Sequence, residues 1–446
     1  MKVRLFGTDG VRGIAHEYPL DRPTLARLGR ALAEQLSLRG KPRRVLLAGD
    51  TRASTSELAG WVGGGFAAAG GEVLWGGVLP TPAVSHLVRA MGGFGSGIIV
   101  SASHNAAADN GIKLVTDEGV KWPVDDEAEL ERRIGEIGAE PDVERLPPLA
   151  ETLRERYVEL VVSTLHPGAL TGMRIVVDAA QGAAASVAEA ILGGLGATVR
   201  LLHASPDGSN INLECGALHP TKLAAEVVAW GADAGVALDG DADRAVIVTH
   251  AGRILDGDDL LDLWGRVLDA SQRLPHRALV ATVMSNLGLT LSCRRLGLRL
   301  VRCPVGDREV WEAMGRERAA LGGEQSGHVI CAHHAVTGDG LLTAAHVIAI
   351  AHEQGRSLDE LATLEHFPQV LLNVRVTRQR PIHEVPSLEA AIRAHAQRLG
   401  DDGRVLVRYS GTEPLLRVMV EAPTTREAHD TAQALVKEAL RHLGAA

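Results

Sequence analysis

Three stretches of this chain repeat one order: apolar strand, loop, helix, glycine break, second strand, helix, and a further strand ending in an unusual loop. The first runs from 44–49 and Asp50 through a helix-like 56–69 and a strand at 72–75 to 97–100 and Ser103. The second starts at 174–178, passes 196–202 and ends at Asp239, and the third starts at 278–283, passes 297–301 and ends at 322–328. Short β-rich runs alternating with helical ones imply mainly parallel sheets covered on both faces, and ligands bind beyond the carboxyl ends of such strands. All three odd loops fall there. The pattern predicts three similar, mixed, mainly parallel-sheet α/β domains around a shared cleft.

From Gln369 onward the order changes to strand (370–376), helix (388–399), two strands (405–409 and 415–420) and helix (426–443), a smaller C-terminal α+β domain. A chain of 446 residues is too long for one hydrophobic core. The boundaries read as 1–150, 151–250, 251–366 and 367–446, with a hinge expected near 366–369.

The loop Asp239-Gly240-Asp241-Ala242-Asp243-Arg244 sets three carboxylates at alternate positions after the apolar run 234–238. Carboxylates this close raise one another's pKa unless a hard cation such as Mg²⁺ or Ca²⁺ takes their oxygens. A solvated acidic turn is the plainer reading of such a string. A calcium EF-hand fails, because its sixth position would be Arg244 and its twelfth His250. The metal reading gains from Ser101-Ala102-Ser103-His104-Asn105, which follows a second apolar run. A serine hydroxyl needs a base or metal to react, and a phosphoserine is stable until a cation draws charge from its oxygens. Ser103 is the candidate phosphate carrier. His104 is not read as its base, since adjacent side chains rarely face each other.

Between the last two strands stands Arg408-Tyr409-Ser410-Gly411-Thr412-Glu413-Pro414-Leu415-Leu416-Arg417. Two guanidiniums, two hydroxyls and glycine-exposed backbone suit a phosphate cradle, although an isolated hairpin turn has the same look.

Composition narrows the classes. Aromatics at 3% leave little stacking surface for single-stranded nucleic acid, and a net charge of −9 argues against a polyanionic partner. Cys215, Cys293, Cys303 and Cys331 show no C-x-x-C spacing, so no structural zinc site or disulfide framework is expected, and a cytoplasmic protein is the default. Neither the first residues nor the glycine-rich 61–78 has the apolar length of a signal or a membrane span.

Together these segments resemble the α-D-phosphohexomutase superfamily over essentially the whole chain, reaching to its phosphoglucosamine mutase branch. Residues 6–13 (Phe-Gly-Thr-Asp-Gly-Val-Arg-Gly) are similar to the family's opening loop, 101–113 to its phosphoserine loop, 239–244 to its metal loop, 323–328 to its sugar loop and 408–417 to its phosphate loop. Gln325 and the run Val305-Gly306-Asp307-Arg308 point to the glucosamine branch. The chain departs from the family at Ala106-Ala107-Ala108, where Pro and an aromatic are common, at Tyr409 and at Gln181. Without Pro the serine loop is expected to be less rigid.

The resemblance implies interconversion of glucosamine 6-phosphate and glucosamine 1-phosphate through a phosphoserine enzyme and a 1,6-bisphosphate, a step supplying amino-sugar precursors for cell-wall polysaccharide. One Mg²⁺ per site would be held by Asp239, Asp241, Asp243 and the Ser103 phosphate, with glucosamine or glucose 1,6-bisphosphate as activator. Arg12 and Arg244 would steady the phosphoryl group, and Lys113 and His328 would handle protons. Glu324 and Ser326 would grip the sugar, and Arg408, Ser410, Gly411, Thr412 and Arg417 the idle phosphate. The partner implied is a small sugar phosphate, with no nucleic acid and no membrane, and a homodimer is compatible with the resemblance. A phosphoglucomutase or phosphomannomutase is the alternative; a phosphoserine hydrolase and a silent sugar-phosphate sensor are more distant ones.

Overall fold

In the computed structural model, which describes residues 5–7, 9–138, 145–410 and 415–444, each repeat of the sequence becomes a sheet of its own. The first sheet runs Val11–Ile14, Asp109–Thr116, Ser96–Val100, Arg44–Gly49, Glu72–Val78. The second runs Ile254–Leu255, Ala245–Thr249, Ala234–Leu238, Arg174–Asp178, Thr198–Leu202, and the third Arg299–Cys303, Ala278–Thr282, Leu321–Gly323, Val329–Cys331. Strands joined through helices pair in parallel, as Arg44–Gly49 does with both Glu72–Val78 and Ser96–Val100. Their central members, such as Ser96–Val100 and Ala234–Leu238, are buried at every residue, which is why they read as unbroken apolar runs.

The antiparallel strands have a common place. In each sheet the strand that leads to an unusual loop is followed directly by an antiparallel return: Ser96–Val100 by Asp109–Thr116, Ala234–Leu238 by Ala245–Thr249, and Leu321–Gly323 by Val329–Cys331. Each loop is therefore tied to the sheet at both ends.

Contacts divide the chain into two units, residues 1–284 with 299–363, and residues 285–298 with 364–446. The second contains an antiparallel three-stranded sheet in the order Gln369–Arg375, Leu415–Glu421, Arg404–Tyr409, packed by the helices Pro386–Leu399 and Thr425–Leu443. It also takes the helix Leu287–Leu296, which the sequence assigns to the third repeat. Fully buried Glu421 accounts for this, accepting hydrogen bonds from Leu287 N (3.2 Å), Gln369 Nε2 (2.9 Å) and Arg404 Nε (2.7 Å). The span 366–369, where a hinge is expected from the sequence, lies just inside this unit.

Several helix starts in the larger unit are fixed by side-chain caps. Asp21 accepts from Thr24 N ahead of Arg22–Leu38, Asp256 forms a capping box with Asp259 ahead of Gly257–Ala270, and Asp339 accepts from Leu342 N ahead of Gly340–Glu353. No helix among the described residues is long and apolar enough to cross a membrane.

The helices Arg22–Leu38 and Thr55–Ala68 cross closely, and a Cβ on Gly29 would come within 1.9 Å of Val62 O. Gly60, in the second of these helices, has open space around it. Gly29→Val is therefore expected to lower stability by about 1–3 kcal/mol or more through overpacking. Gly60→Ala should be neutral or raise it by up to about 1 kcal/mol through helix propensity. Urea titration of both variants checks the pair; equal effects would contradict this packing.

Candidate active site

The loop 239–244 turns back on itself so tightly that Ala242, a non-glycine residue, takes a left-handed conformation (φ 58°). The three aspartates are 1%, 1% and 6% exposed, and one oxygen from each lies within 4.8 Å of the others. The loop is fixed by backbone contacts from neighbouring segments: Ala183 N donates to Gly240 O (2.9 Å), Gly340 N to Ala242 O (3.0 Å) and Thr81 N to Asp241 O (2.9 Å). At Gly340 a Cβ would meet Arg244 O at 2.4 Å, so the helix Gly340–Glu353 can start against this loop only with glycine there.

Compensation of the three charges is uneven. Asp241 Oδ2 accepts from Thr81 Oγ1 (2.6 Å) and from Lys113 Nζ (3.0 Å), while Asp241 Oδ1 and Asp243 Oδ1 are buried without a hydrogen-bond partner. Burial, and then the charges of Asp243 and Asp241, push the Asp239 carboxyl well above the usual range. Burial works on Asp243 in the same direction, but His328, Lys113 and Arg244 outweigh it and hold that carboxyl low. Oxygen-only donors, three carboxylates and two buried oxygens without partners fit a hard divalent ion at this trio.

Ser103 meets the trio directly. Its Oγ, on a residue 3% exposed, donates to Asp239 Oδ2 at 2.7 Å. Ser103 is itself left-handed (φ 53°), a conformation costing roughly 1–2 kcal/mol for an L-residue. The left-handed turn also brings His104 Nδ1 to 3.3 Å from Ser103 Oγ, so the expectation that these neighbours face apart is corrected. Burial and the nearby Arg244 charge push the His104 imidazole down to about 4.

The remaining expected residues of the larger unit gather around this pair of loops. Arg12 donates to Ser101 O (3.3 Å) and pairs with Asp9. Lys113 bridges Asp241 and Asp9 (3.0 and 3.2 Å); burial opposes its charge, but the carboxylates prevail and raise its pKa. Arg244 Nε is buried, 3.7 Å from Asp243 Oδ1 and without a hydrogen-bond partner. His328 is 2% exposed, with Nδ1 3.5 Å from Asp243 Oδ2 and Nε2 accepting from Gly338 N at 3.1 Å. Burial works against the charged ring, but the carboxylates of Asp243, Asp307 and Glu324 outweigh it and raise its pKa. The Gly338 N–H nevertheless needs a lone pair on Nε2, which is the neutral Nδ1–H tautomer. Glu324 accepts from Gly306 N (3.0 Å), Gln325 Nε2 donates to Asp256 Oδ2 (3.2 Å), and Ser326 is exposed. His104, Asp239, Arg244, Asp256, Gln325 and Ser326 line one cleft of about 230 Å³.

Family models for phosphoglucomutase/phosphomannomutase match the chain in sequence order: alpha/beta/alpha domain I at residues 3–140, domain II at 155–252, domain III at 256–367 and the C-terminal domain at 371–438. The phosphoglucosamine mutase of Solibacter usitatus (strain Ellin6076) is 44% identical over 444 residues, covering 99% of both chains. That of Moorella thermoacetica is 45% identical, covering 95% of this chain and 96% of the relative. The chain belongs to the phosphoglucosamine mutase branch of the phosphoglucomutase/phosphomannomutase family. Among solved structures, a phosphoglucomutase/phosphomannomutase family protein from Burkholderia thailandensis superposes with a TM-score of 0.81 at 26% identity, covering 98% of this chain and 97% of that one. The Aspergillus fumigatus N-acetylphosphoglucosamine mutase in complex with GlcNAc-6P and magnesium shares the fold (TM-score 0.66, 19% identity, covering 94% and 97%).

In the smaller unit of this phosphohexomutase, Arg408 and Arg417 occupy directly opposed positions on paired antiparallel strands. Burial and the charge of Arg417 lower the pKa of Arg408, whose Nε has no hydrogen-bond partner. Opposed like charges destabilise a strand pair, so the arrangement favours an anion between them. Arg417 Nη2 donates to Ser410 Oγ (3.4 Å), and Gly411 and Thr412 lie outside the described residues.

Sequence reasoning missed the residues that hold the serine loop. Asp50 and Arg52, both buried, pair at 3.0 Å; Ser101 Oγ donates to Asp50 (2.7 Å) and accepts from Ser103 N (2.9 Å). Arg52 also donates to the carbonyls of Ser103, Asn105 and Ala106, and Asn212 Nδ2 to those of Ser103 and Asn105 (both 2.9 Å). These bonds restrain a loop that lacks proline. The available signal was position, because Asp50-Thr51-Arg52 follows a repeat strand just as the recognised loops do.

Arg52→Met leaves Asp50 buried without its partner, which is expected to cost about 3–5 kcal/mol. Adding Asp50→Asn should recover part of that loss. A double-mutant cycle by chemical denaturation measures the coupling, and strictly additive effects would contradict the pairing.

Proposed function

We propose that this enzyme is an isomerase interconverting glucosamine 6-phosphate and glucosamine 1-phosphate, with Ser103 carrying the phosphoryl group. The contact between Ser103 Oγ and the buried aspartate trio is the observation that carries this reading. The names of the relatives support the choice of sugar. Four free thiols are in keeping with work in the cytoplasm.

Asp239, Asp241 and Asp243, with a phosphate oxygen on Ser103, would hold Mg²⁺, which when bound supplies positive charge against the transferring phosphoryl oxygens. The chain's own part follows from its geometry. In the first half-reaction the bond between phosphorus and Ser103 Oγ breaks as one forms to the free sugar hydroxyl, whose proton passes in net to Ser103 Oγ, giving glucosamine 1,6-bisphosphate. The same species, or glucose 1,6-bisphosphate, would load Ser103 at the outset. After the sugar reverses, the other phosphoryl group returns to Ser103. Arg244, whose buried Nε makes no hydrogen bond, and Arg12, fixed on the serine loop, orient the moving group. Ser326 and Glu324 would grip the sugar, and Arg408, Ser410, Gly411, Thr412 and Arg417 would take the idle phosphate.

Lys113 and His328 are the proton-handling residues implied by the family likeness, and both are already engaged: Lys113 by Asp241 and Asp9, His328 by Asp243 and Gly338. Such engagement suits fixed charge and orientation of the aspartates. His104 is the imidazole in contact with Ser103 Oγ.

Intact-mass spectrometry after incubation with glucosamine 1,6-bisphosphate should show one added phosphate, mapping to Ser103 and absent from Ser103→Ala. That variant should fold normally and lose mutase turnover; near-wild-type activity would refute Ser103 as carrier. Among glucosamine, glucose and mannose 6-phosphates, kcat/KM should be highest for glucosamine, and a clear preference for either other sugar would overturn the choice of substrate. Asp241→Asn should lower the rate and weaken the Mg²⁺ requirement together, and an unchanged metal dependence would count against the trio.

A further inference from the structure

At the carboxyl end of the strand Arg174–Asp178, a second set of metal-binding side chains meets from three segments. Asp178, His203 and Cys215 offer an oxygen, a nitrogen and a sulfur that all lie within 4.8 Å of one another. Asp178 and Cys215 are buried, and the His203 side chain is 26% exposed. The carboxylate is held by two backbone donors, Ala180 N to Oδ1 and Gly216 N to Oδ2, both at 2.9 Å. Those bonds alone would make Asp178 an ordinary loop anchor.

His203 is what that simpler reading leaves unexplained. Its Nδ1 is buried and 3.0 Å from Asp178 Oδ2, yet it makes no hydrogen bond, so the carboxylate oxygen lies off the bonding direction of the ring nitrogen. The contact has ion-pair distance, but a buried ring nitrogen that makes no directed hydrogen bond is costly. An oxygen, a nitrogen and a sulfur this close together, with no directed hydrogen bond between ring and carboxylate, are spaced as the ligands of one ion are.

We propose that Asp178, His203 and Cys215 form a second divalent-metal site, of the zinc class. Mixed nitrogen, sulfur and oxygen donors select a borderline-soft ion, whereas the oxygen-only aspartate trio selects a hard one. The same segments contain five left-handed non-glycine residues, Ala180, Gln181, His203, Asn212 and Glu214. They also deliver support to the serine loop, through Asn212 Nδ2 on Ser103 O and through Gln181 O, which accepts from Thr51 Oγ1 (2.6 Å). An ion here would pin the buttress of Ser103, a positioning role that stands independently of which sugar the enzyme takes.

Metal-free full-length protein titrated with Co²⁺ in excess Mg²⁺, which occupies the aspartate trio, is the test. One equivalent should bind with a thiolate-to-cobalt charge-transfer band in the near ultraviolet, and Zn²⁺ should bleach it. The band should vanish in Cys215→Ser, and His203→Ala should weaken Co²⁺ binding at least about 10-fold, while Cys293→Ser keeps both. Circular dichroism reports whether each variant is folded, and His203→Ala, at a partly exposed position, carries the test if Cys215→Ser is not. No band in the wild type, or a band unchanged in either folded variant, overturns the proposal.

Discussion

Three carboxylates held within one turn, nearly out of reach of water, are the constraint to which the rest of the larger unit answers. At such separations each like-charged pair repels by about 4 kcal/mol at an effective dielectric of about 20. Nearby groups that face the loop reduce that cost. Lys113 and Thr81 donate to Asp241, Ser103 donates to Asp239, and His328 sits beside Asp243. Two oxygens nevertheless accept no hydrogen bond. A segment so unfavourable by itself persists because its backbone is locked by the segments at Thr81, Ala183 and Gly340.

The three repeats present their chemistry through one device. Each critical loop joins a buried strand to an antiparallel return, so it is anchored at both ends beyond the carboxyl end of that strand. Loops built this way tolerate left-handed residues such as Ser103 and Ala242, because the ladders on either side determine where the chain must leave and re-enter. The arrangement also explains why segments more than 100 residues apart, Ser103 and Asp239, come within hydrogen-bond distance.

Much of this was legible in the sequence where chemistry was concentrated in short runs. The aspartate trio, the Ser103 segment and the apolar strands before them stand out because alternate charges and buried strands both leave local patterns. The antiparallel returns were harder to read, since 109–116 and 245–249 differ from parallel strands in their partners and hardly in composition. Asp50, Arg52 and Asn212 were missed because their importance lies in bonds to backbone carbonyls far along the chain, and a carbonyl has no sequence signature. His104 was set aside on a rule about neighbouring side chains that a left-handed serine breaks. The helix 287–296 reads as part of the third repeat, and bonds from buried Glu421, Phe367 and Arg404 to its first residues and those just before them show why its contacts lie with the C-terminal unit.

In the proposed enzyme one divalent ion is shared by Asp239, Asp241, Asp243 and the phosphate on Ser103. Anomalous diffraction from crystals of the phosphorylated enzyme soaked in Mn²⁺ tests it most directly. A single strong peak bonded to one oxygen from each aspartate and one from the phosphoserine is expected. A phosphorylated Ser103 with the ion elsewhere, or with its phosphate turned away from an ion held by the three aspartates, would contradict it.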